Sequence, residues 1–63
     1  MSEIENEIEN RISQIRTLLV ATATYVVDHE YSKAITAVDN AEFGLLDIRN
    51  KLVALHHKNE AGN

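Results

Sequence analysis

Val26-Val27-Asp28-His29-Glu30-Tyr31 decides the fold of this chain, because two apolar repeats of heptad spacing meet there out of phase. Before it, Ile8, Ile12, Ile15, Leu19, Thr22 and Val26 step by four and three, which keeps their side chains on one side of a helix. After it, Tyr31, Ala34, Val38, Ala41, Leu45, Ile48, Leu52 and Leu55 step by three and four without a miss. A single continuous helix would carry the first stripe on through His29 and Lys33, which are polar. The slip predicts a turn at residues 28–30 and an all-α chain folded as an antiparallel two-helix hairpin.

The expected boundaries follow from end chemistry. Ser2 and Glu5 have capping-box spacing, and Glu3 and Glu5 suit the positive end of a helix, so helix one should span about residues 2–27. Helix two should span about residues 31–58, with Asp28 as its N-cap, Lys58, His56 and His57 near its negative end, and Gly62 as a late stop in a frayed tail 59–63. The turn has neither Gly nor Pro, which keeps a bent helix and a domain-swapped pair of straightened helices open as alternatives. Antiparallel arms should oppose residues whose numbers sum to roughly 58, with Val26 against Tyr31, Leu19 against Val38, and Ile8 near Ile48 and Leu52.

A chain of 63 residues without cysteine is one small domain with no disulfide to staple a thin core. Besides the stripes it carries Leu18, Val20, Val27, Ile35, Phe43, Leu46 and Val53. Burying one such side chain fully is worth roughly 1.5 to 3 kcal/mol, so a second apolar contact is expected. A homodimeric four-helix bundle would supply it, and Val20, Val27, Ile35, Phe43, Leu46 and Val53 are the candidate dimer or partner surface. Ala34, Ala37, Ala41 and Gly44 have the small-residue spacing that lets another helix approach, although Gly44 costs about 1 kcal/mol relative to Ala in a helix.

The stretch Tyr25 to Ala41, YVVDHEYSKAITAVDNA, resembles the middle of a tetratricopeptide repeat in the placing of Tyr25, Tyr31, Ala34, Val38 and Ala41, with Leu18 at the earlier large position. It covers about one repeat of roughly 34 residues. Thr22 and His29 replace the small residues of that family, no Pro closes the repeat and no second copy follows. The resemblance reads as local convergence on a tight helix pair. It implies a helical hairpin and a role in binding peptides or proteins.

No cysteine nucleophile, Gly-rich phosphate loop or HExxH spacing is present, so neither catalysis nor a cofactor or metal is expected. His56 and His57 are adjacent and diverge by about 100 degrees on a helix, while Glu3, Glu5, Glu7 and Glu9 spread around one. The Leu18 to Val27 run is too short to span a membrane, for which about 20 apolar residues are needed, and the acidic start lacks the basic region of a signal peptide, so a cytoplasmic location is expected.

A formal charge of −4 disfavours nonspecific nucleic-acid binding. A local site using Arg11, Arg16, Arg49 and Lys51 is the alternative, for a dimer similar in size and architecture to the plasmid RNA-binding protein Rop but without a sequence match to it. Structural pairs at four-residue spacing, Glu7 with Arg11 and Asp47 with Lys51, are the competing use of these charges. The leading reading is a noncatalytic protein-interaction module: a small dimeric regulator, co-chaperone or phage-type inhibitor that binds a protein partner.

Overall fold

Ser2 starts the first helix in the computed structural model, which describes the backbone of residues 2–62 and the side chains of residues 2–59. Its hydroxyl accepts from the Glu5 N–H at 3.1 Å and its own N–H donates to Glu5 Oε1 at 3.1 Å, closing the capping box. From there α1 runs over Glu3–Val27, and α2 runs over Tyr31–Gly62. The second helix therefore continues past residue 58 through most of the expected tail; Asn63 lies outside the described residues.

The turn solves the absence of glycine in an unexpected way. Asp28 is the C-cap of α1 and not the N-cap of α2, a correction to the reading from sequence. His29 takes the left-handed conformation, with φ of 59°, so that its N–H donates to the Val26 carbonyl at 3.1 Å and the Glu30 N–H donates to the Tyr25 carbonyl at 2.8 Å. This pair of bonds is the Schellman arrangement, usually built on glycine, and it satisfies carbonyls that the helix end would leave orphaned. The Glu30 carbonyl then accepts from the Ala34 N–H, opening α2.

Cross-helix ion pairs set the register. Arg11 meets Asp47 and Glu7 meets Lys51, and in each pair the residue numbers sum to 58. The seam between the helices is built on the small residues of α2: Ala34, Ala37, Ala41 and Gly44 are buried, with Ile15 the buried large side chain of α1. Ile4, Ile8, Leu18, Thr22 and Tyr25 from α1 and Ile48 and Leu55 from α2 are half-buried beside them.

This seam divides each expected stripe in two. Ile8, Ile15 and Thr22 and their counterparts Ala34, Ala41, Ile48 and Leu55 turn inward, whereas Ile12, Leu19, Val26, Tyr31, Val38, Leu45 and Leu52 remain exposed. The expected register holds, but Val26, Tyr31, Leu19 and Val38 stand at the exposed edge of the seam and not inside it. Two helices can use only one neighbouring pair of heptad rows for mutual contact. The row containing Ala37 and Gly44 permits closer backbone approach than the row containing Tyr31 and Leu45. The helices therefore close on the small residues and leave the large ones outside.

The product is a plate measuring 52 × 17 × 11 Å between Cα atoms, one helix thick. It exposes 4896 Å², about 800 Å² more than the roughly 4,100 Å² typical of a compact monomer of this mass.

Candidate interaction surfaces

One flank of the seam is polar. Asp47 receives Arg11 Nε at 2.9 Å and Lys51 Nζ at 2.7 Å, while Lys51 also approaches Glu7 Oε2 at 3.8 Å. Arg11 further donates to Gln14 Oε1 at 3.0 Å. Lys51 and then Arg11, by donating to Asp47, hold its carboxyl below the usual carboxylate range. Arg11 reaches across the seam here and does not pair back to Glu7 along its own helix; the expected Asp47–Lys51 pair forms as a helix-surface contact.

The other flank is apolar. Ile12, Leu19 and Val26 recur every seventh residue on α1, and Tyr31, Val38, Leu45 and Leu52 do the same on α2. In antiparallel helices these two rows border the same side of the seam, opposite the ion pairs. Glu5, seven residues before Ile12, shares a depression with Ile8, Leu52 and Leu55, which ties the two rows together at the open end. The seven side chains thus line one contiguous strip running from the turn almost to the open end. The threonines do not interrupt the apolar character of α1, because Thr17, Thr22 and Thr24 donate to the carbonyls four residues earlier.

Of the surface residues expected from sequence, Val20, Val27, Ile35, Phe43, Leu46 and Val53 are all exposed, but the hairpin does not gather them into one patch. Val20 and Val27 lie on the back of α1, away from the seam, and Leu46 and Val53 on the back of α2. Phe43, 73% exposed, lines one shallow depression with Asp39, Glu42 and Leu46 on α2 and another, on the ion-pair flank, with Leu18, Thr17 and Asn40. Ile35 lies on the margin of the seven-residue strip. Sequence reasoning placed the strip itself inside the hairpin, and the sevenfold spacing of its large residues was the available signal that a second contact is built there.

The four basic residues of the nucleic-acid alternative are also split. Arg11 and Lys51 belong to the polar flank and are engaged by carboxylates. Arg16, five residues after Arg11, is turned about 140 degrees around α1, and Arg49, two before Lys51, about 160 degrees around α2. Among the described residues no group of three or more His, Asp or Glu side chains is placed to hold a metal ion, and no helix is long and apolar enough to cross a membrane. His56 and His57 meet edge to face with ring centroids 6.1 Å apart, in accord with their adjacency.

The chain matches no protein-family model, no curated protein and no solved structure, and its faces alone carry the functional reading.

Proposed function

We propose that this chain is a noncatalytic protein-interaction module in the cytoplasm: a helical hairpin that dimerises into a four-helix bundle and presents its outer surface to a protein partner. The observation that carries the reading is an apolar strip and a separate apolar depression on a plate one helix thick. A hairpin with so little buried side-chain volume gains from a second layer, and an assembled bundle still displays Phe43 and Leu46. Asp39 borders that depression, which suits a partner offering an apolar side chain next to a basic one. The tetratricopeptide-like stretch adds modest support for protein binding. A small regulator, co-chaperone or phage-type inhibitor fits this behaviour.

A photo-reactive side chain at position 43 tests the reading in cells, with Phe43→Asp as the control. A specific protein adduct, competed by the unlabelled wild type but not by Phe43→Asp, is the expected result while Phe43→Asp remains a helical dimer in solution. Loss of the dimer on Phe43→Asp would reassign this residue to the bundle's own interface. The Rop-like alternative draws less support, because Asp47 and Glu7 already engage two of its four basic residues. It requires a steep loss of nucleic-acid binding with salt, abolished by substituting Arg16 and Arg49.

A further inference from the structure

The exposed strip is bordered by charges whose order specifies what it docks with. Glu9 and Arg16 lie on its α1 margin, and Glu42 and Arg49 on its α2 margin. In the intrachain register, Arg16 stands level with Glu42 and Glu9 level with Arg49, since each pair of numbers sums to 58, as do Arg11 with Asp47 and Glu7 with Lys51. The pairs on the polar flank close within the chain. Those bordering the strip do not: all four residues are exposed, and among the described residues none makes an intrachain ion pair. Three rows of large apolar side chains, Val26 with Tyr31, Leu19 with Val38 and Ile12 with Leu45, fill the width between the margins.

We propose that a second copy of this chain covers the strip with its turn at the same end, about a two-fold axis parallel to the helices. This deepens, and rests on, the dimeric reading above. Such an axis keeps every residue at its own height and stacks α1 of one protomer on α2 of its partner, running antiparallel to it. Arg16 then meets the partner's Glu42 and Glu9 meets the partner's Arg49, and the two-fold repeats both pairs. All seven apolar residues are covered at once.

The opposite arrangement, with turns at opposite ends, stacks α1 on the partner's α1. Centred on the strip, it sets Glu42 near the partner's Glu42 and Arg16 near the partner's Arg16. Sliding the copies until Arg16 reaches the partner's Glu9 carries Val26 beyond the end of the partner's α1 and sets Tyr31 past the end of the partner's apolar row, which stops at Leu52. Only the arrangement with both turns together satisfies the apolar rows and the charges simultaneously. The excess exposed area of about 800 Å² per chain over a compact monomer shows how little surface the two helices cover by themselves, and a second copy on the strip supplies the missing layer.

The full chain has no cysteine, so Asp28→Cys carrying a spin label reports the distance between turns, with sedimentation equilibrium on the same sample. A dimer with labels within roughly 20 Å, as adjacent packed helices allow, is the expected result. A dimer with labels separated by most of the 52 Å hairpin length overturns this topology and leaves the dimeric reading standing. A monomer overturns both. Leu45→Asp should dissociate the dimer and Phe43→Asp should not; the reverse would move the interface to the outside of α2. Arg16→Glu should weaken the dimer by about tenfold or more through like charges, with most of the affinity restored in Arg16→Glu/Glu42→Arg. Failure of that restoration would overturn the pairing.

Discussion

Ile15 Cγ1 lies 2.9 Å, and its Cδ1 3.1 Å, from where a Cβ on Gly44 would stand. That spacing is shorter than a carbon–carbon contact, so the absence of a side chain at Gly44 is what lets Ile15 seat in the seam. Gly44 gives up helix propensity and gains the approach of the one large buried side chain of α1.

Gly44→Ala should accordingly destabilise the chain. The alanine gains about 1 kcal/mol of helix propensity against an overpacking cost of about 1–3 kcal/mol, leaving a net loss of up to about 2 kcal/mol in urea denaturation. A gain in stability would show that Ile15 swings aside without cost and that the seam is slack at this level.

His29→Gly should stabilise the hairpin by about 0.5–1 kcal/mol, because glycine adopts the left-handed conformation at φ 59° without the steric penalty of a Cβ. His29→Val, β-branched at positive φ, should do the reverse. Thermal denaturation of the two variants tests the turn. Equal effects would mean that the Schellman hydrogen bonds do not persist in solution.

Asp47 links the polar flank to acid stability. Its pKa is lowered in the folded state by Lys51 and Arg11, so the unfolded chain binds more protons as Asp47 titrates. The stabilisation is present above the unfolded aspartate pKa of about 3.9 and is lost as pH falls through the lower folded value. Asp47→Asn should therefore melt below wild type at pH 7, with the gap narrowing as the pH falls below about 4. A gap independent of pH would assign the effect to packing and not to charge.

Ser2→Ala should cost about 1 kcal/mol by removing one side of the capping box, and it should speed amide hydrogen exchange in the first turn of α1. It should also move the Glu5 carboxyl only part of the way back toward its usual range, because Ser2 holds it low chiefly through its backbone N–H, which alanine keeps, and then through its side chain. A Glu5 titration unchanged by Ser2→Ala would show that the backbone contact alone sets that shift.

Heptad spacing on either side of Asp28-His29-Glu30 by itself determined two helices and the place of the turn, because periodicity and end capping are local properties of the chain. It could not determine how the helices roll about their axes. Ala34, Ala41 and Ile48 belong equally to a row pair with Ala37, Gly44 and Lys51 and to one with Tyr31, Val38, Leu45 and Leu52. Hydrophobicity alone favours the second pair, whereas close approach favours the first. The tertiary structure decided for the first, since Ile15 fits over Gly44 and the Arg11–Asp47–Lys51 contacts close beside it. That roll places the large apolar rows outside and made the candidate interface visible. The left-handed His29 was equally illegible, because it is held by backbone hydrogen bonds that exist only once the helix end and the turn have formed.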